Sequence, residues 1–185
     1  ADTLFKADFK LDASKDGIIW VHKVDDPTQF GVVKQDADGT ITDFVEKPET
    51  FVSDLAIIGV YYVKDGANLR SELEYLIDND IRDKGEYQLT NALENMKNKG
   101  IKFAPGAVEE WLDCGNKNAT VDTNQRYLEI MHARGDKMIN PSVKCNNAQI
   151  IEPCFIGENV VIENSIIGPH ASIDNNTTID RKSTR

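Results

Sequence analysis

Thr40-Ile41-Thr42-Asp43-Phe44-Val45 opens with polar and apolar side chains in alternation, reads as a strand, and runs straight into Glu46-Lys47-Pro48. Alternation with a period of two marks a half-buried β-strand. Pro48 has no backbone N–H to give to a sheet ladder, so the strand is expected to stop there. An acid and a base are then left side by side where a sheet gives way to a loop, the place where open α/β sheets gather ligands. A carboxylate accepts hydrogen bonds from hydroxyls, and an ammonium neutralises a phosphate. Together they suit a phosphorylated polyol such as a sugar phosphate. Taken alone, Glu-Lys-Pro reads first as a solvated surface turn, and the surrounding chain has to decide.

Upstream, Gln29-Phe30-Gly31-Val32-Val33 precedes the turn Asp36-Ala37-Asp38-Gly39, so Gly31 sits on a strand that pairs as a hairpin with the Glu46 strand. Earlier still, Asp16-Gly17 opens a strand over 18–24, and Asp25-Asp26-Pro27 ends it. His22 lies inside that strand and reads as a packed or edge histidine. Downstream, Leu55 to Val63 is a continuous apolar run, as expected for a central strand covered on both faces. Gly59 interrupts it. An interior glycine marks either a bulge or a close approach to the backbone, with Tyr61 nearby on the same face.

Leu69, Leu73, Leu76 and Ile77 share one face of a helix over 65–79. A second helix is expected over 87–99, with Leu89, Ala92, Leu93 and Met96 inward and Gly100 as its C-cap. Arg82-Asp83-Lys84-Gly85-Glu86 between them is charged and reads as a flexible loop. Ile101-Lys102-Phe103-Ala104 resumes the sheet, and Glu109-Glu110-Trp111-Leu112-Asp113 leads to Gly115. Asn116 or Asn118 then caps a third helix reaching Arg134, with Tyr127, Leu128 and Met131 on its apolar face.

From Asn140 the composition becomes Asn-rich and β-branched. Isoleucines fall at Ile150, Ile156, Ile162, Ile167, Ile173 and Ile179, with spacings of six, six, five, six and six. Such a period is the mark of a parallel β-helix: short strands with isoleucine inward and Asn or Gly at the corners. Five steps make fewer than two coils, so this segment is expected to dock on the rest of the chain or on a second copy.

The chain of 185 residues has room for one ordinary domain and a small second one. A net charge of −10 argues against a nucleic-acid surface. It leaves room for a nucleotide substrate, which needs only a few placed cations and a metal. No apolar run approaches the ~20 residues of a membrane helix, and no signal peptide is visible. Cys114, Cys145 and Cys154 form no close pair, which suits a reducing cytoplasm. The chain starts at Ala1 without Met and contains no Gly-x-Gly, so it is expected to be a piece of a longer protein.

Six short stretches, in order, resemble the sugar-1-phosphate nucleotidylyltransferases, whose best-known members are the glucose-1-phosphate thymidylyltransferases. Ala1-Asp2 stands for the family's Gly-Asp, and Phe30-Gly31-Val32-Val33 for Tyr-Gly-Val-Val. Glu46-Lys47-Pro48 matches outright. Ile58-Gly59-Val60-Tyr61 stands for Thr-Gly-Leu-Tyr, Lys84-Gly85-Glu86 for Arg-Gly-Glu, and Trp111-Leu112-Asp113-Cys114-Gly115 for Trp-Leu-Asp-Thr-Gly. The resemblance runs from Ala1 to about Arg134. It implies an α/β fold: a truncated, Rossmann-like mixed-sheet nucleotidyltransferase domain over 1–136, lacking the nucleotide-gripping loop, then a short left-handed parallel β-helix over 137–185.

The resemblance further implies transfer of a nucleotidyl group from a nucleoside triphosphate to a sugar-1-phosphate, with release of pyrophosphate. Glucose with thymidine or uridine is the first expectation, and mannose with guanosine the second. Asp2 and Asp113 would hold Mg2+ and, with Lys47, carry catalysis. Gly31, Glu46, Lys47, Ile57, Gly59, Tyr61 and Lys84 would contact substrate. The piece alone is expected to be inactive. No nucleic acid or membrane is implied; a homo-oligomer through the β-helix is. Two rival classes stay open: a non-catalytic sensor of sugar nucleotides, and an acyltransferase built on the β-helix with His170 as base.

Overall fold

Residues 2–7 and 11–180 are described by the structure, a computed structural model. Ala1 and residues 181–185, the first and last positions of the expected segments, lie outside the described residues. The chain divides into two compact units, one built on Thr3–Leu112, the other on Asp2 with Asp113–Arg185. The expected division at 136/137 follows composition, whereas the packing groups the third helix with the strands behind it.

The first unit contains β1 (Thr3–Lys6), β2 (Gly17–Lys23), a 3-10 turn (Pro27–Gln29), β3 (Gly31–Gln35), β4 (Ile41–Glu46), β5 (Leu55–Val63), α1 (Gly66–Asp78), α2 (Leu89–Asn98), β6 (Phe103–Ala107) and β7 (Glu110–Asp113). Five strands form one mixed sheet in the order β4-β3-β5-β2-β6, and β1 pairs with β7. Only β2 and β6 run parallel in the large sheet; its other pairs are antiparallel. As the Asp38-Gly39 turn predicts, β3 and β4 form a hairpin in which Gly31 faces Glu46 and Val33 faces Phe44, with a shift in register between Lys34 and Gln35.

β5 lies in the middle of the sheet because both of its faces are apolar. On one side Ile19, Val21, Val33, Ile41, Phe44 and Ile57 pack with Leu93 and Met96 of α2. On the other, Ile18, Trp20 and Ile58 pack with Val60, Tyr62, Val108 and Trp111. Leu93 and Met96 are fully buried, and each contributes about 1.5–3 kcal/mol by leaving water. The helices follow their caps: Asp65 accepts from the Asn68 N–H at the start of α1, and the Gly100 N–H closes α2 onto the Lys97 carbonyl at a φ of +97°.

Three expectations are corrected here. Ile77 is not inward but 57% exposed, and Glu72 is buried in its stead. At 100° per residue Ile77 has drifted about 80° from the Leu69 line, beyond the buried stripe. The loop at Arg82–Glu86 is a tight hairpin turn. Asp83 and Glu86 exchange both backbone hydrogen bonds, with Lys84 and Gly85 at φ of +50° and +86°, the pattern of a type I′ turn. Arg82 braces it, donating to Asp80, to Gly85 O and to the Tyr87 hydroxyl. Finally, Tyr127 in the second unit is 43% exposed, while Thr123 and Leu128 supply the buried face of its helix.

That helix, α3 (Lys117–Ala133), is capped by Asn116, whose side chain accepts from the N–H groups of Asn118 and Ala119. Behind it come β8 (Lys144–Asn146), β9 (Gln149–Ile150), β10 (Phe155–Ile156), β11 (Val161–Glu163), β12 (Ile166–Ile167), β13 (Ser172–Ile173) and β14 (Thr178–Asp180). They form three parallel ladders, β8-β11-β14, β9-β12 and β10-β13. Ile150 pairs with Ile167, Ile156 with Ile173 and Ile162 with Ile179. Steps of six, six and five in the sequence are therefore the distance between stacked strands. The stacking also reaches back to Ile139 and Cys145, before the isoleucine period begins. Asn147, Asn159, Asn164 and Asn176 stand at positive φ between the strands, a conformation asparagine tolerates better than most residues. Asn147 bonds Asn164, and Asn159 bonds Asn176, level to level. Among the described residues no helix is long and apolar enough to cross a membrane.

Candidate functional site

The hairpin and the first turn of α2 build one cluster in the first unit. Gly31 and Glu46 are direct partners across the hairpin. A Cβ on Gly31 would stand 2.9 Å from Glu46 Oε2, 3.3 Å from Thr90 Cγ2 and 3.5 Å from Ile57 Cδ1. Glycine is thus required first to seat the Glu46 carboxylate. Thr90 Oγ1 donates to Glu46 Oε2 at 3.3 Å and is itself buried. Gly31, Glu46 and Ile57 are therefore brought together. Thr90 is an addition that the sequence reading missed. Its signal was present: it lies on the same inward stripe as Leu93, where a polar side chain must find a partner.

Lys47 continues the hairpin, its N–H donating to Phe30 O at 3.1 Å. Its φ is +40°, a left-handed conformation unusual for a lysine. The next residue, Pro48, removes a donor and ends the strand. The Lys47 side chain is exposed, and no carboxylate pairs with its ammonium among the described residues. Lys84 Nζ donates to the Lys47 carbonyl at 2.8 Å. The I′ turn is thereby tied to the Glu46-Lys47-Pro48 corner, and Lys84 holds backbone there.

Gly59 resolves into a bulge. Between the pairs Ile19–Tyr61 and Val21–Ile57, β5 has more residues than β2, and Gly59 within that excess has a φ of +84°. Its absent side chain leaves space, since the nearest atom to a Cβ there is Thr3 Oγ1 at 4.0 Å. Tyr61 follows the bulge. Burial, and next the Glu46 charge, push the Tyr61 hydroxyl's pKa up, which ties Tyr61 electrostatically to the hairpin cluster.

The second unit holds the carboxylate pair. The Cys114 N–H donates to the Asp2 carbonyl at 2.8 Å, so two residues far apart in sequence meet at neighbouring strand ends. A Cβ on Gly115 would lie 3.2 Å from Asp113 Oδ1 and 3.5 Å from Asp2 Oδ2. The carboxylates converge on one point, no farther apart than those two distances together. The Gly115 N–H donates to Asp113 Oδ1 at 3.0 Å, and Thr123 Oγ1 to the Asp113 carbonyl at 2.6 Å, which fixes Asp113 from both sides. Among the described residues no three His, Cys, Asp or Glu side chains gather as a metal cage, so a hard divalent cation held by this carboxylate pair would take its remaining ligands from water and substrate oxygens. His170, the candidate base of the rival acyltransferase reading, is engaged with α3: its Nε2 lies 3.3 Å from Glu129 Oε1.

The family model described as nucleotidyl transferase matches residues 3–130. Glucose-1-phosphate thymidylyltransferase of Streptomyces antibioticus is 30% identical over 169 residues, covering 84% of this chain and 46% of that protein. The bifunctional protein GlmU of Clostridioides difficile is 30% identical over 190 residues, covering 86% of this chain and 41% of that protein. The chain thus spans about half the length of the curated relatives it matches. In structure, the nucleoside-diphosphate-sugar pyrophosphorylase of Vibrio cholerae superposes with a TM-score of 0.56 at 18% identity, over 66% of this chain and 52% of that one, a likeness of fold. The chain belongs to the nucleotidyl transferase family, among the sugar-1-phosphate nucleotidylyltransferases.

Proposed function

We propose that this chain supplies the sugar-phosphate-binding and metal-binding parts of a sugar-1-phosphate nucleotidylyltransferase, with glucose-1-phosphate and thymidine or uridine triphosphate as substrates. The observation that carries this reading is the convergence of Asp2 and Asp113 at Gly115 in a chain of this family. Nucleotidyl transfer brings two polyanions together in line, so catalysis is mainly charge neutralisation and positioning. Asp2 and Asp113 would hold Mg2+, which takes one or two carboxylates with water and phosphate oxygens and offsets phosphate charge.

The chain's own side chains do the rest. Glu46, held by Thr90 and given room by Gly31, accepts hydrogen bonds from sugar hydroxyls. Ile57 and Tyr61 border it, and the bulge at Gly59 lets the ring approach the backbone. The Lys47 ammonium neutralises the sugar phosphate, and Lys84 holds the corner from which it projects. A phosphate oxygen of the sugar-1-phosphate attacks the α-phosphorus of the triphosphate. The new P–O bond forms as the bond to the bridging oxygen breaks, and pyrophosphate leaves with that electron pair. No protein nucleophile is needed.

The C-terminal ladders support a left-handed parallel β-helix over 137–185 as a docking or oligomer-forming element behind the enzyme part over 1–136. Because the 185 residues contain no Gly-x-Gly loop of the kind that cradles phosphates, binding rather than turnover is the primary readout. Calorimetric titration with glucose-1-phosphate and mannose-1-phosphate, with and without Mg2+, tests the reading. Glucose-1-phosphate should bind more tightly, and Mg2+ should strengthen binding. Failure of both sugar phosphates to bind would overturn it.

A further inference from the structure

A second polar cleft lies between α1 and α2, lined by Glu72, Tyr75, Asn95, Asn98 and Lys99. At its base Glu72 is only 2% exposed. Its Oε1 is bonded by Lys99 Nζ, while its Oε2 is buried with no hydrogen-bond partner. A buried carboxylate oxygen without a donor is costly, and Glu72 is one of the residues that line the cleft. The Glu72–Lys99 pair already balances its own charge, so the missing partner is a neutral donor. Asn95 and Asn98 bring amides that both donate and accept. Tyr75, 49% exposed at the rim, offers an aromatic face with its hydroxyl. An acceptor-only base, two amides and an aromatic wall are a recognition set for a neutral, hydroxyl-rich ring.

We propose that this cleft is a binding site for a neutral sugar ring, with Glu72 Oε2 accepting from one ring hydroxyl, Asn95 and Asn98 bonding others, and Tyr75 covering an apolar face. It is separate from the Glu46 cluster in the residues that form it and does not depend on the reading given for that cluster.

The test is a titration of the isotope-labelled chain with methyl glucoside, and in parallel with sorbitol, followed by the side-chain amide signals of Asn95 and Asn98. Saturable shifts with the ring, at least about tenfold weaker with the open-chain polyol, are expected. Glu72→Gln, which presents an amide of the same size, should weaken ring binding by about tenfold or more. Asn98→Ala, an exposed change that leaves the Glu72–Lys99 pair in place, should do the same, and it keeps the test alive should Glu72→Gln unfold. Absence of saturable shifts, or shifts that survive both Glu72→Gln and Asn98→Ala, would mean that water alone fills the cleft and would overturn the proposal. Equal binding of sorbitol would overturn the ring assignment.

Discussion

The Glu46 carboxylate stands over Gly31 so closely that a methyl group on Gly31 would come within 2.9 Å of Oε2. The obstructing atom is the far end of a flexible side chain, so it can move aside. Gly31→Ala should therefore leave stability within about 1 kcal/mol of the parent, with the smaller unfolded-state entropy of alanine offsetting part of the strain. Displacing Glu46 should weaken glucose-1-phosphate binding by about tenfold. Calorimetric titration beside thermal unfolding checks both arms. Unchanged binding would show that the position of Glu46 is immaterial.

Lys47→Met should act on the sugar phosphate. A lost charge-assisted hydrogen bond is worth roughly 1.5–3 kcal/mol, or about ten- to a hundredfold in Kd. Methionine keeps most of the stem. Lysine and methionine, both unbranched at Cβ, meet the φ of +40° with similar strain, so unfolding should shift little. Equal loss of affinity for free glucose, which has no phosphate, would place the effect elsewhere.

Asp113→Asn should abolish Mg2+ strengthening of sugar-phosphate binding without unfolding the chain, because the amide oxygen can still accept from the Gly115 N–H. Asp2→Asn should behave alike. The two losses should be far from additive, since both act through one ion. Titrating Mg2+ against each single variant and the double variant measures this. Additive losses would mean two independent roles.

Tyr61 predicts an alkaline limb in stability. Its folded-state pKa is raised, by burial first and the Glu46 charge second. The unfolded chain then loses that proton at lower pH than the folded one. The contribution is fully present below about pH 10, the ordinary tyrosine value, and is lost as pH rises through the folded pKa. Urea midpoints across pH 8 to 11 should fall at the high end, less steeply in Tyr61→Phe. Parallel curves would show that Tyr61 titrates as it does unfolded.

The edge strand β4 is masked by side chains. Glu94 Oε2 accepts from the Phe44 N–H at 3.1 Å, and Lys97 Nζ donates to the Thr42 carbonyl at 2.7 Å. These are backbone groups that a neighbouring strand would otherwise take. Replacing both with alanine should raise self-association, read by sedimentation velocity over a concentration series. A variant that associates no more than the parent chain at any concentration would show that the edge needs no guard.

Where a signal was local, the sequence sufficed. The Asp-Gly turn between two β-prone runs predicted the β3–β4 hairpin, because turn chemistry is a property of neighbouring residues, whereas the register shift at Lys34 and Gln35, with Ile41 and Phe44 in one core, came only with the structure. The isoleucine spacing likewise determined the register of the C-terminal ladders. Tertiary structure decided what depends on distant segments. The seat of Glu46 needs Thr90, some forty positions on. The I′ turn at Lys84 reaches the Lys47 carbonyl, and Asp2 meets Asp113 at Gly115 only when their strand ends pair. The burial of Glu72 in place of Ile77 came from the packing of α1 against α2 and from Lys99, which pairs with the Glu72 carboxylate. Hydropathy along a helix names a stripe, but the neighbour chooses which edge of it is covered, and that choice is made by packing across the whole unit.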